Sequence, residues 1–282
     1  MKKYKLTDET KVASGTTLRR IKALRDFGDV KSGNIGGWIE SENSLSHNGN
    51  CWVFDGAWVF GNARVSGDAC VYGNAKVYGD AQVYSDTWVF GNAKVSGDAL
   101  VFDDARVSGY ARVYGDAEVF GGALVSGDSE VSGDARVSGD AQVSDDAKVY
   151  GNAWVFGNAC VFDDAEVSDD ALVFDDACVF DNAEVFGNAK VSGYARVSDK
   201  AQVCGNAKVF GNARVYNDAR VFGYARVYGN ARVSGDSEVS GNAKVCGNAW
   251  VFGNARVSGD AWVYDDARVF GDSEVSGNTR IH

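Results

Sequence analysis

The chain has 282 residues, a formal net charge of −11, 35 Gly and no Pro. That length allows one or two domains, and the acidic balance argues against a surface built on phosphate contacts, which needs an excess of Lys and Arg. Val, Gly, Asp, Asn and Ala dominate after residue 51. Such bias usually signals disorder, but here every sixth residue is aliphatic, so the bias reflects a repeat.

The N-terminus (Lys2, Lys3, Tyr4, Lys5, Leu6) lacks the apolar stretch of a signal peptide. No apolar run approaches the roughly 20 residues that span a bilayer. A soluble cytoplasmic protein without a membrane partner is expected. Residues 1–51 carry 9 Lys or Arg against 6 acids, and the rest of the chain 19 against 33. Residues 1–51 lie outside the perfect repeat and are expected to form an N-terminal cap and a first imperfect coil. An uncovered first coil would expose an apolar cross-section and free strand edges. Residues 52–282 are expected to be the repeat domain.

From Val53, a step of six lands on Val59, Val65, Val71 and onward to Val275 and Ile281, giving 39 hexads without insertion or deletion. Each hexad is Ala-x-Val-z followed by a corner of Gly or Asp and then Asn or Asp, as from Ala75 to Asp80. In an extended segment, residues two apart share a face, so Ala and Val point one way and x and z the other. Position x holds 18 Lys or Arg and 6 Glu, among them Lys94, Arg112 and Glu118. Burying so many charges is prohibitive, so Ala and Val face inward and x and z outward. Corner residues of these types tolerate positive φ or bond locally to the backbone. Six residues cannot cover their own apolar face, so coils must stack and hydrogen-bond to their neighbours. Thr87, Ser129, Ser237, Ser273 and Thr279 replace the inward Ala.

The period alone fixes neither the number of sides nor the hand. The unit, an aliphatic residue followed four positions later by a small one, as in Val71 with Ala75 and Val149 with Ala153, resembles the hexapeptide-repeat motif of left-handed β-helix proteins. Over residues 52–282 the resemblance implies an all-β, single-stranded left-handed parallel β-helix with three hexads per coil. That gives about 13 coils and a rod of about 60 Å at roughly 4.8 Å per coil. Position z departs from the family, which often has a small residue there; this chain has Phe90, Tyr114 and Ser132. The stretch Leu18, Arg19, Arg20, Ile21 through Leu24, Phe27, Val30 and Ile35 to Ile39, continuing at Asn43 to His47 and Cys51 to Val53, is similar to the YdcK group of bacterial proteins. That group is described as hexapeptide-repeat transferases and is often encoded near prophages.

The resemblance implies a candidate chemistry: hexapeptide acyltransferases use a His as general base in a cleft between subunits. This chain has only His47 and His282. Counting back six from Val53 puts His47 at an inward position of the first coil, as a cap residue before a base, and His282 in a mobile end. Two His cannot make the three-His metal site of related carbonic anhydrases. No loop interrupts the hexads, whereas acyltransferases of this fold usually build substrate clefts with loop insertions; no cofactor is expected. Acidic corners are the remaining metal candidate: Asp145 and Asp146, Asp163 and Asp164, and Asp181 recur 18 apart and should share an edge, where carboxylates could hold Ca²⁺. Local backbone bonding is the simpler role for corner Asp. The six cysteines show no CxxC spacing; Cys160 and Cys178 should be neighbours but remain thiols in a reducing compartment.

The outward aromatics are more distinctive. Residues 18 apart should stack, as Phe60 with Tyr78 and Phe162 with Phe180, while Trp52, Trp88, Trp154, Trp250 and Trp262 add exposed ring surface. Two functions compete. One is a structural or interaction solenoid, possible in a prophage context, that presents aromatic and charged ladders to a protein partner or to itself. The other is an acyltransferase-like enzyme using His47. The uninterrupted repeat favours the first. The last hexad is in register to His282, so Thr279, Arg280, Ile281 and His282 are expected to join two copies end to end as a homodimer. Nucleic acid is not an expected partner.

Overall fold

A computed structural model describes residues 2–282. Among these residues there is no α-helix; one short 3-10 turn covers Glu42–Ser44, and everything else regular is β-strand. The described chain divides into two units, residues 2–139 and 140–282.

The first unit opens with a hairpin of β1 (Tyr4–Ala13) and β2 (Thr16–Ala23), antiparallel from Tyr4 opposite Ala23 to Ala13 opposite Thr16. Its two-residue turn, Ser14 and Gly15, has φ of 48° and 82°, the positive values that match a tight turn to strand twist. Strand β3 (Ile35–Ile39) runs antiparallel to β2 and parallel to Trp58–Val59. The hairpin therefore covers the sheet edge that the first coil would otherwise present to solvent.

Beyond β3 the strands are two residues long, and within the first unit they pair in parallel at 18-residue steps, as Trp58–Val59 with Lys76–Val77 and Lys76–Val77 with Lys94–Val95. Three faces result. Face I holds Trp58–Val59, Lys76–Val77, Lys94–Val95, Arg112–Val113 and Glu130–Val131. Face II runs from Trp52–Val53 through Cys70–Val71 and Trp88–Val89, and face III from Arg64–Val65 through Gln82–Val83 and Leu100–Val101. Alternate backbone donors of a hexad reach the next coil: Lys94 N to Ala111 O, Ser96 N to Val113 O and Asp98 N to Gly115 O, each 2.9 Å. Strands this short have no stability alone; the ladder and the shared interior supply it. Every inward Val and Ala from Val53 to Val263 is buried, a side-chain burial of about 1.5–3 kcal/mol for each Val. The inward hydroxyls bond to the carbonyl three residues back, as Thr87 Oγ1 to Tyr84 O at 2.7 Å, which is why Thr and Ser can replace Ala here.

The corners explain the Gly/Asp alternation. Gly97 has φ 70°, and a Cβ there would lie 2.8 Å from Gly115 N. Where Asp takes this position, as at Asp163 (φ 58°) and Asp181 (φ 59°), its carboxylate accepts the corner N–H of the next coil. Asp163 Oδ2 accepts from Asp181 N at 3.3 Å, and Asp181 Oδ2 from Asp199 N at 3.2 Å. The side-chain bond offsets the unfavourable backbone conformation. The second corner position builds amide–carboxylate ladders, such as Asn158 Nδ2 to Asp176 Oδ1 at 3.1 Å.

The second unit repeats the same three-sided plan. Face I runs from Lys148–Val149 to Glu274–Val275, face II from Gln142–Val143 to Arg268–Val269, and face III from Trp154–Val155 to Arg280–Ile281.

Two expectations are corrected. Ile39 pairs with Val59 and Leu45 with Val65, both 20 residues apart, whereas Val53 pairs with Val71 at 18. The first coil therefore has two extra residues between Leu45 and Val53. Leu45 takes the inward position and is buried, while His47 is displaced to the cap boundary and is partly exposed. Trp52 is not exposed ring surface: it is buried against Phe27 and Tyr4, with ring centroids at 5.3 and 6.1 Å.

Val149→Asp should cost about 4 kcal/mol or more, because it buries an unpaired charge among small apolar neighbours. Lys148→Asp, one residue away and outward, should cost about 1 kcal/mol. Thermal melts of the two variants check this; equal losses would contradict the inward assignment of Val.

Candidate functional site

A buried polar cluster lies where the hairpin meets the first coil. Lys3 is fully buried. Its ammonium donates to Cys51 O at 2.8 Å, Gly49 O at 3.3 Å and Cys51 Sγ at 3.2 Å, and lies 4.9 Å from the centroid of the Phe27 ring. Three acceptors and a ring face make the burial of a charge tolerable. Burial pushes the Lys3 pKa down and the Cys51 thiol pKa up. Tyr4 is buried beside them; its hydroxyl donates to Leu45 O at 2.8 Å, and burial raises its pKa. None of these three was visible as a site residue in the sequence, because each becomes polar machinery only through contacts 41 to 48 residues away.

His47 sits on this cluster, with its ring 4.4 Å from Tyr4. Its Nδ1 accepts the Lys3 backbone N–H at 3.2 Å. Its buried Nε2 makes no hydrogen bond and lies 3.8 Å from the Glu42 carboxylate. With Nδ1 committed as an acceptor, the hydrogen-bond pattern assigns the proton of the neutral ring to Nε2. No free lone pair is then left to take a proton from a substrate. Lys2 hydrogen-bonds both Glu42 oxygens, at 2.6 and 2.8 Å, and holds that carboxyl below its usual range. A polar cavity of about 610 Å³ opens nearby, lined by Glu40, Ser44, Asn62, Arg64, Asp80 and Asp98 among others. Glu40 accepts the Gly61 N–H there at 2.6 Å.

The acidic corners recur at 18-residue steps, and four of these five carboxylates have a hydrogen-bond partner. Asp163 and Asp181 receive backbone N–H groups as described, Asp164 accepts from Asn182 Nδ2 at 3.5 Å, and Asp145 bonds to the Ser144 hydroxyl at 3.1 Å. Asp146 is exposed beside it. Among the described residues no group of three or more His, Cys, Asp or Glu is placed to hold a metal ion. Cys160 and Cys178 are paired neighbours and free thiols.

The outward ladders form as the spacing requires. Phe60 stacks on Tyr78 at 5.2 Å and Phe162 on Phe180 at 5.1 Å; Tyr84, Phe102 and Phe120 form a run at 5.0 and 4.9 Å. All these ring pairs are within 7° of parallel. Charges at x alternate on part of face I, with Arg112 to Glu130 at 3.0 Å and Lys148 to Glu166 at 2.9 Å. Tyr110, Tyr194 and Tyr224 stand out at corners and are strongly exposed. At the last coil, Arg280 lies over Trp262, Ile281 pairs with Val263, and Thr279 Oγ1 donates to Ser276 O at 2.7 Å. The His282 ring stacks on Tyr264 at 5.7 Å.

Lys3→Met should strand the Cys51 and Gly49 carbonyls without their donor, at about 1–3 kcal/mol for each buried group left unpaired. Hydrogen exchange in residues 2–51 should then accelerate while residues 140–282 stay protected. Unchanged protection throughout would show that Lys3 does not hold the cap.

Residues 131–145, 141–157, 201–216, 225–241 and 249–265 match the family model described as the YdcK beta solenoid repeat. Over 63 residues the chain is 44% identical to a protein of Escherichia coli (strain K12) named "Uncharacterized acetyltransferase YdcK". The match covers 20% of this chain and 19% of that relative, so it spans about a fifth of the relative's length. The chain is a β-solenoid protein that carries repeats of the YdcK type.

Proposed function

We propose that the chain is an interaction scaffold whose stacked aromatic and charged ladders engage a second copy of itself. The observation that carries this reading is the geometry of the outward rings, held in parallel stacks at 4.9–5.2 Å by a backbone that cannot slide. Such rings are ordered before any partner arrives, so little side-chain freedom is lost on binding. The committed lone pair of His47 fits a structural role for that residue better than proton transfer.

The contact we favour is side by side, through stacked rings such as Phe156 and Phe174, whose centroids lie 5.0 Å apart. A column of parallel rings can meet the same column of a second copy in an isologous contact. The coil of Thr279, Arg280, Ile281 and His282 is the other candidate contact. Light scattering should give a dimeric mass for the wild type and a monomeric mass on replacing Phe156 and Phe174 by Ser. Persistence of the dimer in that variant, with loss in a protein carrying an acidic extension after His282, would move the contact to the coil of Thr279, Arg280, Ile281 and His282. A monomer at all concentrations would overturn the proposal.

Acyl transfer is the second reading, favoured by the likeness to the Escherichia coli relative named as an uncharacterized acetyltransferase. It requires acyl-CoA consumption that His47→Ala abolishes without changing the melting temperature. Consumption that survives His47→Ala would remove His47 from any such chemistry.

A further inference from the structure

The z columns of the second unit contain single-residue gaps. On face II, Phe180, Ser198, Tyr216, Ser234 and Phe252 follow one another at 18-residue steps, so a small residue twice interrupts a column of rings. One coil step brings stacked rings to 5.1 Å, as for Phe162 and Phe180. The rings flanking a gap are therefore about 9.6 Å apart, twice the ~4.8 Å strand spacing. That is room for one more ring at the spacing the column already uses.

At two of the gaps the protein itself supplies a planar aromatic group. At Ser234 the Trp250 indole reaches back from position x of the next coil, its Nε1 donating to Ser234 Oγ at 3.2 Å and its ring 4.5 Å from Phe252. At the corresponding gap on face III, Trp262 Nε1 donates to Cys246 Sγ at 3.1 Å, with the ring 5.1 Å from Tyr264. Under their indoles Ser234 and Cys246 are only 4% and 7% exposed.

Ser198 has no such cover. The residue that would supply an indole, 16 positions on, is Arg214, and Ser198 is left partly exposed at the floor of a cavity of about 210 Å³. The cavity is lined by Phe180, Arg196, Ser198, Arg214, Tyr216 and Arg232. The three arginines are direct cross-strand neighbours, and no ion pair to a carboxylate is found for any of them among the described residues. The nearby Asp199 carboxylate is engaged with Asn217 N at 2.9 Å. Like charges directly opposite on adjacent strands repel, so this column gains from an anion set across it. Guanidinium groups suit phosphate in particular, through paired hydrogen bonds.

We propose that the Ser198 gap is a binding site for a free nucleotide. Its base takes the missing place in the ring column between Phe180 and Tyr216, and its phosphates lie across Arg196, Arg214 and Arg232. The aromatic slot and the cation column each select one half of such a ligand; a free base lacks the anion, and inorganic polyphosphate lacks the ring. A longer nucleic acid would have to run past a repeat with 33 acids against 19 cations, which opposes polyanion binding outside this patch. The site is independent of the scaffold reading above, since it is lined within one chain on face II and requires no second copy.

Calorimetry with ADP, adenosine, tripolyphosphate and a twelve-nucleotide single strand of thymidylate tests the proposal on the full chain. ADP should bind, with adenosine and tripolyphosphate each at least tenfold weaker. Ser198→Phe should abolish ADP binding with the melting temperature unchanged or raised, because it completes the column with a ring of the type already stacked there. Arg214→Gln should weaken ADP at least tenfold while leaving the slot intact. Ser198→Phe with full ADP affinity, tripolyphosphate binding as tightly as ADP, or no ADP binding at millimolar concentration would each overturn the proposal. Tighter binding of the oligonucleotide than of ADP would overturn its assignment to a free nucleotide.

Discussion

Everything in this protein depends on the width of a three-sided interior that is lined by Val and Ala. Within each unit, strands on the three faces are only two residues long, and they persist because each coil satisfies the backbone donors of its neighbour while closing the same apolar core. From Val53 on, the inward positions hold nothing larger than a β-branched side chain, and β-branched Val is also favoured on a pleated surface. Size and propensity therefore select the same residue at each step, which is why the repeat tolerates so little variation inside and so much outside.

The outer positions obey a different constraint. A residue at x or z meets its equivalents one coil away, so chemistry is arranged in columns rather than in a cleft. Columns can be mutually satisfying, as in the alternation of Arg112 with Glu130 or the stacking of Phe102 on Phe120. They can also be frustrated, as in the arginine run of Arg196, Arg214 and Arg232. The corners show how one position serves two chemistries: Gly supplies positive φ without a side chain, and Asp accepts the strain while its carboxylate ties the next coil.

Much of this was legible in the sequence, because a period of six leaves no freedom about which residues share a face. The stacking of Phe162 on Phe180 and of Phe60 on Tyr78 followed from spacing alone. The first coil did not, because counting back from Val53 cannot see two extra residues when Gly49 and Asn50 imitate an ordinary corner. The signal was present in the six-residue interval from Ile39 to Leu45, which is in phase with itself and two residues out of phase with Val53. The burial of Trp52 and the Lys3–Cys51 contact were hidden for another reason: the hairpin that covers them is not periodic, and its position is set by long-range packing. The indole caps over Ser234 and Cys246 are diagonal contacts between x of one coil and z of the previous one, which no single-column reading reveals.

Stacking at an 18-residue offset is tested most directly by the native thiols. Cys160 and Cys178 are cross-strand neighbours, whereas Cys204 stands on another face, 26 residues after Cys178. A bis-alkylating reagent that bridges about 5 Å, the spacing of adjacent strands, should link Cys160 to Cys178 within one chain in the folded protein, as mapped by mass spectrometry. Stacking at that offset is contradicted if the folded protein yields a Cys178–Cys204 link, or no intramolecular Cys160–Cys178 link while both thiols react singly.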